Sequence, residues 1–183
     1  MSKLFRTTLW ILSGIGLIAF LIQTLSTFLI SPLMGLLSLL IAAVLVALVI
    51  LLLQRSPMWA RPARLWALLA FLWGGGVAVA LALISSGPVM QLAIGTGWVD
   101  AMMSWSGAYP EEISKATGVI FVLMSFRQLN RPWHGWMVGA VVGLGFEACE
   151  NILYGAMGAT MHPDSDIQGL FEMWGLRLVA GPG

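Results

Sequence analysis

TTLWILSGIGLIAFLIQTLSTFLISPLMGLLSLLIAAVLVALVILLLQ, from Thr7 to Gln54, runs for 48 residues without an Asp, Glu, Lys or Arg. One helix needs about 20 apolar residues to cross the hydrocarbon core of a bilayer, so this stretch holds two spans. The break belongs at Ser31-Pro32, because proline lacks the donor that a continuing helix needs and biases its predecessor away from helical angles. Span one is predicted over about Leu9 to Ile30 and span two over about Leu33 to Leu53. Lys3 and Arg6 ahead of an apolar run also resemble a secretory leader. The run is longer than the ~7–15 residues of a leader core and shows no small-x-small cleavage site, so an uncleaved first span is expected.

The rest of the 183 residues agrees with that reading. Hydrophobic residues make up 59% and charged residues only 9%, against roughly a quarter charged in soluble domains. This balance excludes a cytosolic globule, a disordered tail and a nucleic-acid partner. The formal net charge of +1 predicts no polyanionic partner either. A lone cysteine, Cys149, excludes an intramolecular disulfide framework and a Cys-rich zinc site.

After the arginine- and proline-rich loop Gln54–Arg64, an uncharged segment from Leu65 to Ser86 is predicted as span three, ended by Ser85-Ser86-Gly87-Pro88. Val89–Ala108 is apolar but carries Asp100, three glycines and two tryptophans, and is read as an outer-side interfacial or re-entrant segment. Span four runs from Tyr109 to about Phe126, RQLNRP makes a turn, span five runs from Trp133 to about Met157, and Gly169–Val179 begins a sixth. The fold class is therefore all-α, a polytopic transmembrane helical bundle with five complete spans and the start of a sixth. Placing the N-terminus in the cytoplasm puts Lys3, Arg6, Arg55, Arg61, Arg64, Arg127 and Arg131 inside, as the positive-inside rule requires. Lys115 and Arg177 remain within apolar segments.

Ionisable groups inside spans are costly and usually line a polar site. Glu111, Glu112, Lys115, Glu147 and Glu150 all lie in spans four and five. In an antiparallel hairpin turning near residues 129 and 130, residues at one depth have numbers summing to about 259, so Glu111 and Glu112 face the level of 147 and 148. That level lies about 25 Å from the turn, in the outer leaflet. Lys115 can reach back to either Glu111 or Glu112 along its own helix. Gly135, Gly139 and Gly143 at four-residue spacing, with Gly145, would let the helices approach closely. Pro110-Glu111-Glu112 also suits a plain helix start, but no such reading covers Glu147 and Glu150. His134 reads as an interface residue, Cys149 as packing, Asp100 as a solvated group, and His162 as an outer-loop residue near the level of the carboxylates.

At these positions the chain resembles the PrsW family of intramembrane proteases, within the wider group of CAAX-processing and bacteriocin-processing membrane proteases. Glu111, Glu112 and Lys115 match its Glu-Glu-x-x-Lys motif, and Phe146, Glu150 and Asn151 match Phe-x-x-x-Glu-Asn, in the context GAVVGLGFEACENILYG. The resemblance covers Tyr109 to about Arg177 and implies peptide-bond hydrolysis within or at the edge of the membrane, some members acting on anti-sigma factors. It implies that Glu111, Glu112 and Glu150 are the functional acids. Lys115 would then stabilise the remaining negative charge, and Asn151 would donate to an oxyanion. A carboxylate base activates water for hydrolysis, and a crowded set of acids keeps one proton to give to the leaving amine. The resemblance also implies a histidine on the next span, and Ala180-Gly-Pro-Gly183 is reached without one, so poor hydrolysis by these 183 residues is expected.

Together these observations predict an N-terminal membrane scaffold over residues 1–108 and a catalytic region over 109–183. The expected protein is a multi-pass enzyme of the cell membrane acting on single-span or membrane-associated protein substrates, in contact with the lipid bilayer. No cofactor is assigned. The acids suit a divalent metal, whereas zinc sites usually include His or Cys. A small proton-coupled transporter or channel, or a noncatalytic relative, stands as the alternative.

Overall fold

The computed structural model describes residues 3–62 and 64–180, and every regular element among them is helical. Helix α1 (Lys3–Ile30) ends at Ser31, whose backbone is extended, and α2 (Pro32–Arg55) starts with Pro32 in its first turn. Proline tolerates that position because the donor it lacks would be unpaired there anyway. A long rod follows, built from α3 (Arg64–Leu72), a π-helical turn over Trp73–Ala78 and α4 (Val79–Gly95). Gly97, at φ +79°, turns the chain through the left-handed region that favours glycine. A 3₁₀ turn, Val99–Ala101, and the short α5 (Met102–Ser106) lead into α6 (Ala108–Ser125), α7 (Pro132–Met161) and α8 (Asp166–Ala180).

Four helical segments are long and apolar enough to cross a membrane: Lys3–Ile30, Pro32–Arg55, Arg64–Gly95 and Pro132–Met161. The protein is therefore a multi-pass membrane protein. Helix α6, read from the sequence as span four of five complete spans, has 18 residues but carries Glu111, Glu112 and Lys115 in its first half. Those charges set it apart from the other four. Span three does not stop at Ser85-Ser86-Gly87-Pro88 but continues through Pro88 to Gly95. The hydroxyls of Ser85 and Ser86 donate to the carbonyls of Leu81, Ala82 and Leu83 just before the proline. Val89–Ala108 is consequently divided, its first part completing the rod and its second turning back to pack α5 and α6 against α4. The last helix begins at Asp166, ahead of the expected Gly169, and Gly181–Gly183 lie outside the described residues.

Helix α7 is the axis of the bundle, touching α1, α2, α3, the π-helical turn, α6 and α8. Its Met137, Val138, Val141, Val142 and Phe146 are almost fully buried against Trp66, Leu69, Trp73 and Val122. A second cluster, with Met34, Ala42, Ile152, Leu170 and Trp174, joins α2, α7 and α8. The leucines and isoleucines of α1 and α2 point mostly outward, as lipid-facing helices require.

Close helix approach depends on Gly145, one of the expected glycines, and on Gly74 of the facing segment, rather than on the four-residue series Gly135, Gly139 and Gly143. A Cβ at Gly74 would overlap the Val142 carbonyl, and one at Gly145 would overlap the Phe71 carbonyl. Gly135 and Gly139 instead meet only the Leu123 and Val119 side chains, at 3.9 Å, and Gly143 meets nothing within 4 Å. These two contacts also fix the register of α6 against α7. Continued about eight residues along each helix, it sets Glu111 opposite Glu147.

Candidate functional site

Helix α6 carries its charge in its first two turns. Lys115 reaches back to place Nζ 2.8 Å from Glu112 Oε1 and 4.0 Å from Glu111 Oε2. The ammonium also lies 4.1 Å from the centre of the Phe146 ring, a cation–π contact that ties it to α7. Glu112 is 64% exposed whereas the lysine is 14% exposed, so the buried end of this ion pair is Lys115. Trp73 holds the helix at this height. Its Nε1 donates to the Ser114 carbonyl at 3.0 Å, and Gly118, one turn on, leaves room for the indole.

Helix α7 supplies Glu147, Glu150, Asn151 and Tyr154, and α8 sends Arg177 among them. Arg177 Nη2 is 3.0 Å from Glu147 Oε2 and 2.8 Å from Glu150 Oε2, while its Nε donates to Asn151 Oδ1. Its guanidinium also lies 4.6 Å from the centre of the Tyr154 ring. About four-fifths of each of these three charged side chains is withdrawn from solvent. Ser38 braces the group from α2, donating to the Asn151 carbonyl at 3.0 Å and accepting from Trp174 Nε1 at 2.9 Å.

Two hollows meet here. Glu111, Glu147, Glu150, Tyr154 and Arg177 line a cavity of about 360 Å³. Glu112 and Lys115 line a neighbouring groove of about 530 Å³, with Val49 of α2 on one wall and Gly139 and Gly143 along α7. Glu147 borders both. Glu111 and Glu150 thus share the cavity, Glu112 and Lys115 face the groove, and Asn151 is held behind them by Arg177.

In the sequence Arg177 stands as an isolated charge in an apolar segment, with no acid three or four residues away on its own helix to mark its partners. Its partners were encoded in the glycines of the next hairpin. Gly158 packs against Gly169, and carrying that register about eight residues along both helices opposes Glu150 to Arg177. The remaining candidates lie elsewhere. His134 accepts from the Arg131 amide at the start of α7. His162 accepts from the amides of Asp164 and Ser165 and lies 3.7 Å from Glu172. Cys149 is buried packing, and Asp100 is exposed in the 3₁₀ turn.

A family model described as PrsW family intramembrane metalloprotease matches residues 62–183. The chain belongs to the PrsW family. The match begins at Pro62, so the family region takes in the α3–α4 rod as well as the motifs on α6 and α7. No curated protein and no solved structure gives a match. PrsW membership makes the chain a member of a family of intramembrane proteases, whose substrates are proteins in the membrane.

The family description also names a metal, and the described residues do not fit one. Among them no three His, Cys, Asp or Glu side chains are placed to hold an ion. One carboxylate oxygen each of Glu147 and Glu150 is engaged by Arg177, and neither histidine lines the cavity. The charge that lies between these two acids is the Arg177 guanidinium.

Proposed function

We propose that the chain is a glutamate-dependent intramembrane endopeptidase that cleaves single-span or membrane-associated protein substrates, with Glu111 as the base. The observation that carries this reading is the shared cavity of Glu111, Glu147 and Glu150. Of these, Glu147 and Glu150 are both ion-paired with Arg177, whereas Glu111 lies at the outer limit of reach from Lys115 and is 27% exposed. Glu111 is therefore the least tightly paired and most exposed of the three carboxylates, which favours it as the one that meets water.

In the proposed reaction Glu111 takes a proton from water as the oxygen attacks the scissile carbonyl carbon. The C–N bond then breaks as the proton passes to the leaving amine nitrogen. Asn151 accepts from Arg177 through its Oδ1 and so acts as a positioning residue that orients the guanidinium between Glu147 and Glu150. Glu112 and Lys115 act as a positioning pair. Lys115 holds Glu111 in place while Glu112 marks the polar head of the groove.

Access distinguishes a protease from a transporter. A substrate helix needs a sideways opening, and the groove between α2 and α6 supplies one that ends at the carboxylates. A transporter needs a route to both faces. Val138, Val141, Val142 and Val122 are fully buried along α7 and α6 on the side toward the α6–α7 turn, and this apolar packing favours the protease reading.

The reading includes a cytoplasmic N-terminus and a site reached from the outer side. Reconstitution with a single-span substrate tests it: the parent chain should release two fragments, and Glu111→Gln should release them at least about 10²-fold more slowly. Equal cleavage by the two proteins would refute Glu111 as the base.

A further inference from the structure

Seven of the nine lysines and arginines lie at one end of the bundle, at the start of α1, the end of α2, the loop before α3 and the α6–α7 turn. The two others, Lys115 and Arg177, are paired with the site glutamates. All eight acids lie elsewhere: Asp100, Glu111 and Glu112 before or early in α6, Glu147 and Glu150 midway along α7, and Asp164, Asp166 and Glu172 in or near α8. The carboxylate of Glu147 is about 20 Å up the helix from the α6–α7 turn. Among the described residues, no ion pair involves any of the seven basic-end cations.

Three of those cations meet in one place. Lys3 and Arg6 from the first turns of α1 and Arg127 from the α6–α7 turn line a pocket of about 510 Å³, with Gln128, Leu65 and Phe126. Residues some 120 positions apart come together because α1 packs on α6, with the Phe5 and Phe121 rings 5.3 Å apart. Loose solvated charges would repel one another apart, yet here the backbone holds three of them around a single hollow with no carboxylate in its lining.

We propose that this pocket binds the phosphate of an anionic phospholipid. Arginine and lysine supply the charge-assisted donors that a phosphodiester needs. Basic pockets between membrane helices at a membrane surface are suited to anionic headgroups. The chemistry of the anion alone would admit a soluble phosphate, but the surroundings favour a lipid. Leu65 and Phe126 give the hollow an apolar wall. One to two turns inward on α6, Met124 and Ile120 are half exposed on the lipid-facing surface, along the path that acyl chains would take.

The test uses the full chain in neutral detergent and follows its thermal unfolding. Dioleoyl phosphatidylglycerol should raise Tm by about 5 °C over the same amount of phosphatidylcholine. The variant Arg6→Gln with Arg127→Gln should lose that rise. A control with the same charge change outside the pocket, Arg55→Gln with Arg61→Gln, should keep it. All four residues are exposed, so both variants should fold. Inorganic phosphate at equal concentration should leave Tm unchanged. Loss of the rise in the control as well would show a general charge effect and overturn the site, and an equal rise with inorganic phosphate would overturn the lipid assignment.

Discussion

Arg177 Nη2 lies 2.8 Å from Glu150 Oε2, joining the last described helix to the middle of the central one. The same nitrogen is 3.0 Å from Glu147. One guanidinium therefore bridges two neighbouring carboxylates on one face of α7 inside an apolar bundle, and α8 is fixed in rotation as well as in position. Without this cation, Glu147 and Glu150 would be adjacent acids on one helix face with no counter-charge on α7.

Arg177→Gln should accordingly lower stability by about 2–3 kcal/mol. That is less than the ~3–5 kcal/mol of a fully buried pair because about a fifth of each side chain remains exposed. A thermal-unfolding cycle with Glu150→Gln and the double variant checks it. The double variant should be more stable than Arg177→Gln alone, since one orphaned charge has been removed. Simple additivity would mean that the pair does not couple.

The two adjacent glutamates of α6 should behave differently. Glu111 lines the carboxylate cavity, so Glu111→Gln should reduce kcat by about 10²- to 10⁴-fold with KM little changed. Glu112 faces the groove and is mostly exposed, so Glu112→Gln should act chiefly by raising KM. Cleavage assays over a range of substrate concentration separate the two, and a larger kcat loss at Glu112 would exchange their roles.

Much of this arrangement was legible in the sequence where a local signal and the global fold agreed. Pro32 follows an extended Ser31 and starts a helix, as its chemistry dictates. Pro88 has the same chemistry but lies within α4, because the residues after it stay apolar and the hydroxyls of Ser85 and Ser86 engage carbonyls of the preceding turn. A proline by itself therefore did not decide where a membrane helix stops. The meeting of Glu111 with Glu147 and Glu150 followed from helix rise and one turn position. Arg177 needed a second register, set by Gly158 against Gly169, and of the glycines expected on α7 Gly145 makes the close approach while the four-residue series Gly135, Gly139 and Gly143 does not. Spacing gives the face of a helix but not what lies opposite, and opposite Gly143 there is only open groove.

Cys149 is 1% exposed, which makes the parent chain a clean background for topology. Asp164 and Asn130 are exposed in the α7–α8 and α6–α7 turns, at opposite ends of α7. In sealed right-side-out vesicles, an impermeant maleimide should label Asp164→Cys directly and Asn130→Cys only after permeabilisation, with the parent unlabelled throughout. The reverse pattern would place the basic end outside and contradict the cytoplasmic N-terminus.

The glycines of α7 offer a test that separates folding from substrate entry. Gly145 abuts the Phe71 carbonyl, so Gly145→Leu must push α3 away from α7 and should cost about 3 kcal/mol or more, seen as loss of a cooperative unfolding transition in detergent. Gly143 lies two residues earlier, with no atom within 4 Å of a Cβ and the groove in front of it. Gly143→Leu should leave the unfolding temperature within a few degrees of the parent, since leucine is also the better helix former. Its side chain would instead occupy the space through which a substrate helix reaches Glu111. KM should rise about tenfold for a single-span substrate while a short soluble peptide, entering the cavity from its open side, is cleaved as before. If Gly143→Leu impaired both substrates equally, the groove would not be the route of entry, and the carboxylate cavity would have to be reached from beside Tyr154 and Arg177.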